Sequence, residues 1–226
     1  LAATAPRPIL WLNFDPDGTS SLMDQKDILI ADFANEKANI VEKFKHDSCA
    51  GVREILEQQD IKTVVFDSVT SFNEMALKHA VSVTNGATME APTLQGYGKR
   101  NIFTMQGVMN VVKTTGSKNV NVIFIAHEEA PRVDEVTGAM QISIMLGGRL
   151  QTEIPIKLSE VWHLEDDGKS RKITIRSSRM KKPMKSRMFI ASGDRSFEWK
   201  FDPEKWKGDT ICEWYKSWVG NDGKKL

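Results

Sequence analysis

Ile61-Lys62-Thr63-Val64-Val65-Phe66-Asp67-Ser68 is the stretch on which the reading of this chain turns. Ile61 to Phe66 is short and mostly apolar, and Asp67 bounds it. It reads as a buried strand with a carboxylate at its C-terminal end. Two other segments share this character. Pro8 to Phe14 carries Ile9, Leu10, Trp11, Leu12 and Phe14, and Val120 to Ala126 runs Val-Asn-Val-Ile-Phe-Ile-Ala up to His127. Strands so nearly all apolar are expected to be covered on both faces, as in a parallel sheet between helical layers.

Helical patterns separate the three strands. Asp47 or Ser48 can cap a helix running to about Gln59, with Val52, Ile55 and Leu56 on one side. Ser71 and Glu74 have capping-box spacing, and Phe72, Met75, Ala76 and His79 continue a helical pattern. Asn85 to Gly98, rich in Gly, Pro and Thr, reads as a loop. Ile102, Met105, Met109 and Val112 then form a core-facing stripe, with Gly107 a mild cost inside it. Between Asp15 and Phe33 the sequence is polar and then mixed, with Ile28, Leu29 and Ile30.

Past His127 the pattern changes. Glu128 to Met145 has no clean period and reads as a long loop with a short strand near Gln141 to Met145, and Gly147-Gly148 marks a turn or a close backbone approach. Leu158 to Glu165 and Lys172 to Arg176 alternate across Asp167-Gly168, a hairpin signal, and Met188 to Ala191 is a candidate edge strand. In the tail, Thr210 and Glu213 have capping-box spacing, and Ile211, Trp214, Tyr215 and Trp218 fall at i, i+3, i+4, i+7. That helix is either docked on the main domain or a partner-binding element. The expected fold is α/β: a mainly parallel sheet with an antiparallel C-terminal hairpin extension. Residues 1–192 form the core and 193–226 an aromatic-rich tail.

Composition narrows the classes. A 226-residue chain with 40% hydrophobic and 27% charged residues can bury one substantial core, roughly 70% of its extended surface. Disordered, collagen-like and disulfide-scaffold classes do not fit. No apolar run reaches the roughly 20 residues a membrane helix needs. Cys49 and Cys212 make no disulfide framework, which favours a cytoplasmic setting. The net charge of +1 predicts no partner. Its distribution is more telling, because Lys169 to Arg187 holds nine basic residues and no acidic one. Such a patch either concentrates phosphate-bearing partners or is a solvated hairpin face.

The chemistry gathers at three strand ends, where open α/β sheets collect ligands. Asp15, Asp67 and His127 each follow an apolar strand, so all three can converge on one crevice. Four apolar or β-branched residues, Thr63 to Phe66, leading to Asp and Ser suit magnesium, since a carboxylate supplies a hard oxygen ligand beside phosphates. Equally, Asp67 can simply end a strand or cap the next helix, and Asp15-Pro16-Asp17-Gly18 can simply be a turn. The four histidines lack paired-ligand spacing, neither cysteine belongs to a Cys-x-x-Cys unit, and Ser68 lacks a Gly-x-Ser-x-Gly elbow. A metal hydrolase and a serine hydrolase therefore find no support.

Taken in order, Leu-Trp-Leu-Asn-Phe-Asp (10–15), Val-Val-Phe-Asp-Ser-Val-Thr-Ser (64–71), Val-Ile-Phe-Ile-Ala-His-Glu (122–128) and Leu-Gly-Gly-Arg-Leu (146–150) resemble RecA-like P-loop ATPases. Within that group the chain is most similar to phage-encoded nucleotide-binding proteins related to single-strand-annealing recombinases, over about residues 1–192. The resemblance implies ATP and Mg2+ as cofactors. Asp67 is then the Walker B aspartate, His127 occupies the sensor position and Asp15 is a candidate for positioning attacking water. It places Ser68 beside the acid or its water, and Lys185 and Arg187 where basic residues reach a neighbouring subunit's phosphates. Residues 128–146 match a loop coupling nucleotide state to DNA, closed by the glycine pair, with Arg132, Arg149, Lys181 and Lys182 as DNA contacts.

One departure is large. No Gly-x-x-x-x-Gly-Lys-Ser/Thr occurs, so the usual amide-and-lysine phosphate cradle is missing. Leu1-Ala2-Ala3 reads as the tail of the helix that follows such a loop, so an N-terminal truncation is expected. The complete protein is then an ATPase, and these 226 residues bind ATP weakly or not at all. The expected function is DNA-stimulated ATP hydrolysis in recombination or single-strand annealing. The resemblance further implies a ring or filament of identical subunits, with single-stranded DNA and single-strand-binding protein as partners and no membrane. The alternatives are a noncatalytic DNA-binding or assembly component on a degenerate ATPase fold, and a DNA motor or packaging ATPase.

Overall fold

A computed structural model of the chain describes all residues except 17, 23–24, 37–39, 47–48, 134–137, 139, 179–183, 190–194 and 222–226. Strands β1 (Ile9–Asn13) and β2 (Ile28–Asp32) are followed by helices α1 (Ile40–Lys45) and α2 (Ala50–Gln58). Next come β3 (Thr63–Asp67), α3 (Val69–Ser82), α4 (Leu94–Gly116) and β4 (Asn121–Phe124). The four strands form one parallel sheet in the order β2-β1-β3-β4. In its register Asn13 lies opposite both Asp32 and Asp67, and Phe66 opposite Phe124. The C-terminal ends of the strands are therefore level, and the segments leaving them start side by side.

Strand alternation sends successive side chains to opposite faces. Leu10, Leu12, Phe14, Val64 and Phe66 enter the main core with α1 to α4, whereas Ile9, Trp11 and Val65 face a second cluster with Ala3, Ala5 and Leu22. Phe14, Phe66 and Phe72 meet at the centre of the main core, stacked at 4.5 Å between Phe14 and Phe66 and edge-on at 5.2 Å for the other two pairs. Aromatic pairs of this kind add about 0.5–1.5 kcal/mol beyond the area they bury.

Several local expectations shift. Helix α3 starts at Val69, and its cap is Ser68, whose side chain accepts from the Ser71 amide. Ser71 is thus inside the helix rather than capping it. Helix α2 follows Cys49, and the predicted caps Asp47 and Ser48 lie outside the described residues. Thr93 caps α4, so the helix begins inside the segment read as a loop. Its core face is Thr104, Gly107, Val108, Val111 and Thr115, while Ile102 is 56% exposed. Gly107 sets that rotation: a Cβ there would stand 2.5 Å from Phe72 Cε1, so the glycine is the seat of the ring. Strand β4 is half-buried throughout instead of buried, because among the described residues only one of its edges is paired, with β3. The sheet's outer member β2 was not foreseen as a strand; its Leu29 and Ile30 are exposed.

Residues 128–146 contain the two-residue strands β5 (Arg132–Val133) and β6 (Met140–Gln141), paired with each other. Helix α5 (Leu150–Lys157) follows, and then β7 (His163–Asp166), β8 (Arg171–Thr174) and β9 (Ser196–Glu198) make a three-stranded antiparallel sheet. The Asp167-Gly168 turn falls where predicted, with Gly168 at φ +79. The third strand is at 196–198, not 188–191. Of that candidate, Met188 and Phe189 lie in a turn, and 190–191 are outside the described residues. A small β10–β11 ribbon (Phe201–Asp202, Lys207–Gly208) precedes α6 (Ile211–Gly220). Thr210 caps α6 as its spacing predicts, accepting from the Glu213 amide. Trp214 of α6 joins Trp162, Phe189 and Phe197, while Ile211 rests on the sheet's second cluster, so the helix is docked.

Candidate functional site

The three strand ends do meet. The Phe14 amide donates to the Asp67 carbonyl at 2.5 Å, the Ile125 amide to Phe66 at 3.0 Å and the Val69 amide to Ile125 at 2.8 Å. These bonds lace the segments leaving β1, β3 and β4. On this frame His127 Nε2 stands 3.3 Å from Asp15 Oδ2. Asp15 Oδ1 accepts from the Ser68 hydroxyl at 3.2 Å and from the Ser71 hydroxyl. The His127 ring is 53% exposed and the Asp15 side chain 14%, so the histidine forms the outer wall. Its own amide is fixed by donating to Thr70 Oγ1 at 3.0 Å.

Asp67 lies deeper. It is 8% exposed, and the Trp11 indole Nε1–H donates to its Oδ2 at 3.1 Å. Burial, then the neighbouring Asp15 charge, push its carboxyl up to about 6; the Trp11 hydrogen bond and His127 pull the other way. A carboxyl so raised is unsatisfied as an anion, which a cation would correct. Ser68, fully buried, serves two ends: it caps α3 and donates to Asp15, not to Asp67.

The other candidates stand apart from these carboxylates. Lys185 pairs with Val161 beside the antiparallel sheet and its ammonium donates to the Ile156 carbonyl at 2.9 Å, capping the end of α5. The Arg187 amide donates to Glu160 Oε1 at 2.7 Å. Arg132 pairs with Glu129 at 3.1 Å, and the 89%-exposed Arg149 pairs with Glu153 at 3.4 Å. Lys181 and Lys182 lie outside the described residues, as does Asp17. Gly147-Gly148 fills both roles read for it: the Arg100 guanidinium occupies the space a Gly147 Cβ would need, and Gly148 turns with φ +60.

Four residues here are not among the site residues read from the sequence. Trp11, Asn13, Thr70 and Ser71 hold the acids and the histidine in place. Asn13 Nδ2 donates to the Asp15 carbonyl at 2.9 Å and to Asp32 Oδ1 at 2.9 Å. A readable signal existed for the first two. Trp11 and Asn13 are polar-tipped positions in an apolar strand, on one face by alternation, and buried tips of that kind need partners.

A level parallel sheet with acids after two strands and a histidine after a third defines an α/β, P-loop NTPase-like core, extended by antiparallel elements. The chain belongs to the AAA domain family (AAA_24), whose pattern matches residues 1–189. No curated protein and no solved structure matches it.

Such a domain implies ATP and magnesium, and the donor set can be tested against them. Magnesium takes one or two carboxylates and fills its other positions with water and phosphate oxygens. Asp67 and Asp15, two crowded acids with hydroxyls alongside, fit that demand. Among the described residues no group of three or more His, Cys, Asp or Glu gathers for a metal needing an all-protein cage. Asp67 and Asp15 are the residues that would face such an ion; a Gly-x-x-x-x-Gly-Lys-Ser/Thr cradle is not among residues 1–226.

Proposed function

We propose that this chain carries the magnesium and sensing side of an ATPase that works on DNA in phage-type recombination or single-strand annealing. The observation that carries the reading is the crowded Asp67–Asp15 pair, with Asp67 pushed up to about 6 and His127 bridging to Asp15. Bound magnesium would neutralise phosphate charge and polarise the transferring phosphoryl group. Asp67 holds the ion, directly or through its water. Asp15, oriented by Ser68, Ser71 and Asn13, accepts a proton from an attacking water and aims it. His127, the exposed member, meets the terminal phosphate and passes its presence to the segment beginning at Glu128.

Single-stranded DNA is the proposed effector, held by backbone charge through Arg132, Arg149 and the basic segment 169–187. Assembly is proposed as a ring or filament of identical subunits in the host cytoplasm, alongside single-strand-binding protein. Lys185 and Arg187 are proposed to reach the phosphates bound by a neighbouring subunit. The test is ATP turnover by the complete gene product, with and without single-stranded DNA, beside Asp67→Ala. DNA-stimulated hydrolysis, lost in the variant, is the expected result. A folded product that neither binds nor hydrolyses ATP would overturn the reading in favour of a noncatalytic DNA-binding or assembly module. Directional movement along duplex DNA would instead favour a motor or packaging ATPase.

A further inference from the structure

Trp11 takes no part in the proposed chemistry itself, yet its indole makes the one side-chain hydrogen bond to Asp67 found among the described residues. It sits in the middle of β1, 5% exposed, between Ile9 and Val65 in the cluster on the sheet's second face. The backbone on both sides of it is consumed by pairing with β2 and β3. A buried indole N–H needs an acceptor, and the acid two residues beyond its cross-strand neighbour Val65 provides one.

The bond has a direction that matters. It occupies Oδ2 at 3.1 Å and, among the described residues, leaves Oδ1 without a hydrogen-bond donor, so the carboxylate is held by one oxygen with the other open. We infer that Trp11 is the positioning residue of Asp67: the indole anchors Oδ2 and presents Oδ1 to a hydrated divalent cation. The identity of that cation as magnesium rests on the ATPase reading; the anchoring does not. Asn13 fixes Asp15 through its backbone instead: Asn13 Nδ2 donates to the Asp15 carbonyl at 2.9 Å, and the Asp15 amide donates to Asn13 Oδ1 at 3.3 Å. One strand face thus sets both acids.

Trp11→Phe removes the N–H and keeps an aromatic ring in the cluster, so it separates anchoring from packing. In the complete gene product the Mg2+ concentration for half-maximal ATP turnover should rise about tenfold or more, as for other partners of metal ligands. Turnover at saturating Mg2+ should fall much less. A readout independent of turnover is Mn2+ binding followed by electron paramagnetic resonance, which should weaken by a similar factor. In the wild-type protein the Trp11 indole signal, identified by its loss in Trp11→Phe from the six tryptophans, should be the first broadened by Mn2+.

Wild-type turnover with an unchanged Mg2+ dependence in a folded Trp11→Phe protein would overturn the inference and leave the ATPase reading standing. If Trp11→Phe fails to fold, stepwise assignment of the wild-type spectrum identifies the indole signal. Indifference of that signal to bound Mn2+ is then the overturning result. A wild-type protein that neither binds Mn2+ nor turns over ATP removes both.

Discussion

Replacing Asp67 by Asn should stabilise the protein, against the usual direction for a change at a buried polar position. Burial and the adjacent Asp15 raise the Asp67 carboxyl from an ordinary 3.8 to about 6. Two units at about 1.36 kcal/mol each mean that the ionised side chain costs the fold about 2–3 kcal/mol above pH 6. Asn is close in shape, keeps an oxygen for the Trp11 indole, and carries no charge to repel Asp15. Linkage gives the sign. The folded state binds the proton more tightly than the unfolded chain, so wild-type stability is complete below about pH 4 and is lost as pH rises through 6. Asp67→Asn escapes that loss. Its advantage should be greatest above pH 7, shrink between 6 and 4, and vanish below. At pH 8 this corresponds to a Tm higher by roughly 4–12 °C for a chain of this length. Urea unfolding at pH 4, 6 and 8 measures it directly. A variant less stable than wild type at pH 8, or a gap that does not change with pH, would refute the electrostatic account of the acid pair.

Two other perturbations read the packing. Gly107→Ala gains about 1 kcal/mol of helix propensity but drives a methyl to 2.5 Å from Phe72 Cε1, an overpacking that costs about 1–3 kcal/mol; net loss of Tm is expected, relieved in the Gly107→Ala, Phe72→Leu double variant. Glu160 accepts from the Arg187 amide at 2.7 Å, the Met188 amide at 3.2 Å and the Trp162 indole at 2.8 Å. Glu160→Ala should therefore cost about 1–3 kcal/mol locally, seen as faster hydrogen exchange at residues 187 and 188 while β1 and β3 stay protected.

The fold class was legible because fully apolar strands ending in polar residues are a strong local signal. It survived even where detail shifted. The predicted α4 stripe is half right: Met105 and Met109 pack half-buried against the main core, but Ile102 is exposed and the deepest positions include Thr104 and Gly107, which any hydrophobicity count ranks below the methionines. The structure turns the small residues inward because Phe72 needs the room. β2 was missed since its Leu29 and Ile30 are exposed at a sheet edge and its pattern does not alternate cleanly. The meeting of Asp15, Asp67 and His127 was foreseen from the strand-end rule. The bonds that hold them were not, because Trp11–Asp67 and Ser68–Asp15 are contacts 56 and 53 residues apart that depend on register. Register is set by the whole sheet and is not visible in any one segment.

Alternation along β1 explains why stability and chemistry are separable here. Leu10, Leu12 and Phe14 build the main core, and Trp11 and Asn13, one residue out of phase, brace the acids. A change on the first set empties the aromatic centre that α1, α3 and α4 share. A change on the second leaves that centre intact and acts instead on the second-face cluster around Trp11 and on how the carboxylates are presented. The same strand therefore bears two sets of demands that hardly compete. The exception is Asp67 itself, which the fold holds ionised at a cost above pH 6. A side chain kept at that cost, with Oδ2 anchored and, among the described residues, no donor on Oδ1, has the form the proposed cation role of Asp67 requires.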